Sequence, residues 1–141
     1  MKIIIDTNLW ISLLIGKRLS EMRTLCNHKS VVVYICDELL TEFMRIASCD
    51  RIKKYAPEGR TKETMNLMRV SCKKVDIENK AVSHFLRDTN DLYLLSLADT
   101  IRADYILTGD KDLLTLQTHN KTKIVTYSEF VAQYLESPLT P

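Results

Sequence analysis

The sequence predicts an α/β fold organised around a central, mostly parallel sheet of about five strands. Three observations point there. Short β-branched runs alternate with longer segments of helical period, the pattern of successive βα units. The chain has 141 residues, enough for one domain to bury about two thirds of the surface its unfolded form exposes. Its composition, 45% hydrophobic and 27% charged with only three Gly and three Pro, is that of a globular protein with few interruptions.

Taken in order, the elements begin with the apolar run Ile3-Ile4-Ile5, which sets a strand over residues 2–5. Helical period then predicts helices over 9–15 and 20–27. The run Val31-Val32-Val33-Tyr34-Ile35 is β-branched and aromatic and gives a second strand over 31–35. A helix follows over 38–48, Ala56-Pro57-Glu58-Gly59 marks a loop inside the domain, and another helix covers 61–70. A short strand near 73–75 precedes helices over 78–85 and 91–102. Tyr105-Ile106-Leu107 forms the next strand, residues 111–116 a short helical turn, and 123–125 the last strand. Ser128 is expected to cap a final helix over 129–135. No repeat or low-complexity tract interrupts this pattern, so residues 1–136 are expected to form a single domain and residues 137–141, with Pro138 and Pro141, a fraying tail.

Cys26, Cys36, Cys49 and Cys72 stand at wide, unrelated intervals with no C-x-x-C, which implies reduced, semi-buried thiols. Only three strongly apolar residues precede the charge at Asp6, too few for a signal peptide or membrane span, so a cytoplasmic protein is expected. A formal charge of +2, from 20 basic and 18 acidic residues, names no partner. His28, His84 and His119 lack ligand spacing and are read as surface or packing residues. Trp10 and Tyr34 are read as core.

The chemistry rests on acids. In an open parallel sheet, ligands bind outside the carboxyl ends of the strands. Asp6 follows the first strand and Asp110 follows Tyr105-Ile106-Leu107-Thr108-Gly109, where the glycine permits a sharp turn. The structural alternative for each is a helix cap. Glu42 falls on one helical stripe with Leu39 and Ile46, and a carboxylate on an apolar stripe must be paired or bind a metal; the alternative is an ion pair with Arg45 or another base. Asp91 shares a face with Leu94, Leu95 and Ala98, although Asp88 or Asn90 could cap that helix while Asp91 complements its dipole. If the four converged, a cation would be needed, because two like charges 4 Å apart repel by about 4 kcal/mol at an effective dielectric near 20. All-oxygen ligands suit Mg²⁺ or Mn²⁺ better than zinc.

The segments Ile5-Asp6-Thr7-Asn8, Leu39-Leu40-Thr41-Glu42-Phe43, Arg87-Asp88-Thr89-Asn90-Asp91 and Ala103 to Leu114, with its Thr108-Gly109-Asp110-Lys111-Asp112-Leu113-Leu114 ending, resemble the ordered motifs of PIN domains. The similarity runs through nearly the whole chain and is greatest to the PIN toxin components of bacterial toxin–antitoxin systems. Departures occur at Thr89, where relatives often have proline, and at Asn90-Asp91-Leu92, where they often carry a run of acids.

The resemblance implies a three-layer α/β/α sandwich and hydrolysis of RNA phosphodiester bonds by a metal-activated water, leaving a 5′-phosphate. It implies Asp6, Asp91 and Asp110 as metal ligands, with Glu42 completing the shell or orienting the water. Asn8, Asp88, Thr108 and Asp112 are second-tier candidates, and Asn8 is also the expected N-cap of the first helix. Arg45, Arg51, Lys53, Lys54 and Lys111 are candidates for steering a phosphate backbone. Kinship further implies a homodimer and a cognate antitoxin that inserts a basic residue into the acidic cleft. A non-toxin PIN nuclease in RNA processing is the alternative, as is a catalytically silent PIN-like binding module, against which the retention of all four acids speaks. A haloacid-dehalogenase-like phosphatase would need a second acid where Asn8 stands. A receiver domain would need an acidic pair there and a late strand-end lysine.

Overall fold

The centre of the sheet is β1 (Lys2–Ile5), and its sequence explains why. Successive strand residues leave opposite faces, yet Ile3, Ile4 and Ile5 are all completely buried, so both faces of β1 must be covered. The computed structural model describes residues 1–77 and 92–134. In it β1 pairs in parallel with β2 (Val32–Ile35) on one side and β4 (Tyr105–Leu107) on the other. The two-residue β3 (Lys73–Lys74) adds to β2, and β6 (Thr122–Val125) adds to β4, both in parallel. The antiparallel β5 (Thr118–His119) completes the described sheet in the order β3-β2-β1-β4-β6-β5. One edge is thus short and carries two exposed lysines, which discourages pairing with another chain.

The covering layers are α1 (Thr7–Ile15), α2 (Leu19–Cys26), α3 (Asp37–Ala47), α4 (Asp50–Lys53), α5 (Glu58–Ser71), α6 (Leu92–Ile101), α7 (Lys111–Leu116) and α8 (Tyr127–Tyr134). Strand order reverses at β1: the chain steps outward to β2 and β3, then returns to pair β4 on the other side. Right-handed crossovers therefore place the helices after β1 and β2 on one face and those of the later strands on the other. Consistent with this, α1 packs against α2, α3 and α5, while α6 lies on β1. The expected three-layer fold is present.

Several local expectations shift. The sixth strand, β5, escapes the sequence pattern because it is two residues long and its turn, Asn120-Lys121, lacks the Asn-Gly signature; Asn120 nevertheless adopts φ 54°. Helix α5 begins at Glu58, with Pro57 as its N-cap, so Gly59 lies inside the helix instead of in a loop. The last helix is capped by Thr126, not Ser128: the Thr126 hydroxyl accepts from the Glu129 N–H and donates to the Glu129 carboxylate. Cys26, Cys36 and Cys72 are buried free thiols, but Cys49 is exposed. Trp10 and Tyr34 are buried core residues. His119 is buried too and meets the Asp99 carboxylate at 3.0 Å. The helix expected over 78–85, residue 91 of the following helix, His84 and the tail lie outside the described residues. No helix among the described residues is long and apolar enough to cross a membrane.

Candidate active site

Asp6 stands where β1 becomes α1. Its N–H donates to the Leu107 carbonyl at 2.9 Å, extending the β1–β4 ladder, and its own carbonyl accepts from Leu9 and Trp10 to start the helix. This joint falls where strand order reverses, at the carboxyl edge where open α/β sheets bind ligands. The side chain is 1% exposed. Its Oδ2 accepts a 2.7 Å hydrogen bond from the hydroxyl of Thr108, the residue that follows β4. Burial raises the Asp6 pKa from its ordinary value; the Thr108 hydroxyl and the Asn8 backbone N–H favour the charged form, while the charges of Glu42 and Asp110 oppose it.

Glu42 comes from α3. The buried stripe of that helix is Leu39, Phe43 and Ala47, so Glu42 borders the core with half-buried Ile46 instead of pointing into it. The expected alternative, an ion pair with Arg45, does not form among the described residues. The Tyr93 hydroxyl lies 3.4 Å from Glu42 Oε1 and 2.8 Å from Thr7 Oγ1. Glu42 and Arg45 line an open cleft of about 760 Å³ together with Asp37, Glu38, Thr41, Asp76, Ile77 and Tyr93. Among the described residues of that lining Arg45 is the one cation, and Asp37 is engaged by Lys74 at 3.0 Å.

Asp110 takes the helix-cap role considered for it. Its Oδ1 caps α7, accepting from the Asp112 N–H at 2.7 Å and the Leu113 N–H at 3.4 Å. Its charge also reaches Asp6. The Thr108 hydroxyl joins the two acids, donating to Asp6 while accepting from the Asp110 N–H at 3.0 Å. Asp110 opens onto a smaller hollow of about 250 Å³ with Asn8, Leu9, Ser12 and Gly109. Asn8 is exposed within the first turn of α1; it is not the cap, a position held by Asp6.

Asp6, Glu42 and Asp110 are therefore brought within electrostatic reach, with Asp6 buried between two acids that open onto separate hollows. Among the described residues, no three His, Cys, Asp or Glu side chains draw close enough to hold an ion together. Asp91 and Asp88 lie outside the described residues. The donor chemistry nonetheless fits a hard cation: the three groups are carboxylates, and burial leaves Asp6 reluctant to ionise without a positive neighbour. Sequence reasoning missed Thr7 and Tyr93. The available signal was a phenol in the otherwise apolar run Leu92-Tyr93-Leu94-Leu95.

A reversed parallel sheet carrying acids at its carboxyl edge defines a doubly wound α/β protein with an acidic site at the switch point. A family model described as PIN domain matches residues 2–112, and the chain belongs to that family. PIN domains are in general nucleases, and those nucleases generally use divalent metal ions. The chain is 27% identical to uncharacterized protein MJ1680 of Methanocaldococcus jannaschii, over 95% of this chain and 92% of that one. Its fold is similar to a chain in the crystal structure of VapBC2 from Rickettsia felis bound to a DNA fragment from their promoter. That similarity has a TM-score of 0.55 at 14% identity, covering 88% of this chain and 97% of the other.

Proposed function

We propose that this chain is a Mg²⁺- or Mn²⁺-dependent endoribonuclease and the toxin component of a toxin–antitoxin pair. The observation that carries the reading is the buried Asp6 carboxylate, held by Thr108 at the switch point of a PIN fold with the charges of Glu42 and Asp110 beside it. Asp6, Asp91 and Asp110 are the residues that would hold the ion, with Glu42 completing the set. A bound divalent ion lowers the pKa of water and neutralises charge on the scissile phosphate. The chain's own part is positioning. Thr108 fixes the orientation of Asp6, the α7 cap fixes Asp110, and Glu42 faces the open cleft, where it can orient a water for attack on phosphorus. Arg45 in that cleft, with Arg51, Lys53 and Lys54 shortly after it in the chain and Lys111 beside Asp110, supplies positive charge for a phosphate backbone.

The toxin reading draws on the motif resemblance, and the fold shared with a chain of a VapBC2 complex agrees with it. An antitoxin protein and a second copy of this chain are the partners it implies, and the cytoplasm is the compartment. The test uses the purified chain and single-stranded RNA, with Mg²⁺, with Mn²⁺ or with chelator. Asp6→Asn, Glu42→Gln, Asp91→Asn and Asp110→Asn should each lower Mn²⁺-dependent cleavage at least about a hundredfold, in line with the loss of a catalytic electrostatic group. Wild-type cleavage that persists in chelator, or no cleavage with either ion, would reject the reading.

A further inference from the structure

Thr7 and Tyr93 touch the acidic cluster without being acids. Thr7 follows Asp6 directly and is completely buried, while Tyr93 projects from α6 into the same region. The phenol oxygen lies 2.8 Å from Thr7 Oγ1 and 3.4 Å from Glu42 Oε1. A phenol has one proton to donate, and an ionised carboxylate can only accept. Donation toward the anion is the stronger of the two choices, so the Tyr93 O–H is directed to Glu42 and the Thr7 hydroxyl donates to the phenol oxygen. Each bond in such a chain polarises the next.

The geometry points to Thr7 and Tyr93 as a hydroxyl relay that positions the Glu42 carboxylate beside Asp6, so that both are positioning residues. Glu42 needs such a restraint. It is half-buried at the rim of an open cleft, and among the described residues no base pairs with it. A glutamate left to its own torsions samples many placements, whereas a productive site holds its groups to within about half an ångström. The relay ties that flexible side chain to a rigid ring on α6 and to a buried hydroxyl on α1, next to the strand end that carries Asp6. It couples three helices that meet at one edge of the sheet. The inference rests on reading Asp6 and Glu42 as ion-holding acids.

Tyr93→Phe removes one oxygen and keeps the ring. Mn²⁺ alone, titrated calorimetrically into this variant of the chain, should bind about tenfold more weakly, as expected when a group that orients a ligand is lost. RNA cleavage should fall through kcat with KM for RNA unchanged. Thr7→Val should weaken Mn²⁺ binding in the same way, and Thr7→Ser, which keeps the hydroxyl, should restore what Thr7→Val loses. Because the two hydroxyls act in series, Thr7→Val combined with Tyr93→Phe should be no worse than Tyr93→Phe alone. Wild-type Mn²⁺ affinity in Tyr93→Phe, with affinity lowered in Glu42→Gln, would overturn the relay and leave the proposed function standing. Equal loss in Thr7→Ser and Thr7→Val would overturn it as well. Failure of the wild-type protein to bind Mn²⁺ would instead reject the proposed function, and the relay with it.

Discussion

Asp6 is the residue on which stability and the proposed activity pull against each other. Its buried carboxyl has a raised pKa, chiefly through desolvation. Between the ordinary value near 3.8 and that raised value, the folded chain holds a proton that the unfolded chain has lost. The Asp6 contribution is therefore fully present below the unfolded pKa and is lost as pH rises through the folded one. In chelator, the wild-type melting temperature should carry a component that declines with pH over this interval and then levels, and Asp6→Asn should lack it. A melt profile for Asp6→Asn parallel to wild type across the interval would show that Asp6 is not held as described. With a divalent ion the direction reverses, because the ion binds the deprotonated form and its stabilisation grows as the proton leaves.

At the scale of elements, α7 is six residues long and depends on its N-terminal cap. Asp110 Oδ1 supplies that cap, and asparagine offers an equivalent oxygen. Asp110→Asn should accordingly melt at or slightly above wild type in chelator, since the cap survives and one charge near Asp6 disappears. Asp110→Ala should lose about 1 kcal/mol as the Asp112 and Leu113 N–H groups lose their partner. Both should lose Mn²⁺-dependent cleavage, which separates the structural use of one oxygen from the charge of the carboxylate. Thr126→Ala provides the contrasting case: removing the N-cap of α8 should cost about 1 kcal/mol, read by urea denaturation, and leave cleavage unchanged.

For the whole molecule, the site assembles only when β1, α3 and β4 are in place, so an ion that binds the assembled site must stabilise the fold. Linkage sets the size: about 2.7 kcal/mol when the ion is at a hundred times its dissociation constant. Thermal melts in millimolar Mn²⁺ should lie several degrees above those in chelator, and the increment should shrink in each of Asp6→Asn, Glu42→Gln and Asp110→Asn. An unchanged wild-type melt would mean that these acids do not form an ion site. In cells, expression of the chain alone should arrest growth while Asp6→Asn should not. Normal growth with active enzyme present would favour a nuclease without a toxin's role.

The sequence by itself determined the α/β class, the order of the main strands and the acids at the ends of β1 and β4, because these follow from local alternation of short β-branched runs with helical period. It also carried the PIN motifs, since those are ordered strings of residues along one chain. Weak local signals went unread: the two-residue β5, the start of α5 before Gly59, and the Thr126 cap each depend on one or two residues whose preferences are small beside the packing that selects them. Tertiary structure alone decided how the acids relate. Helical spacing suggested that Glu42 faces the core, but the packing of α3 buries Leu39, Phe43 and Ala47 and leaves Glu42 at the rim. Thr108 emerges as the group that joins Asp6 to Asp110, Thr7 meets Tyr93 across a separation of 86 residues, and Tyr93 meets Glu42 across 51. Those contacts depend on how three helices and two strands meet at one edge of the sheet, and no periodicity within a single segment encodes a distance between two others.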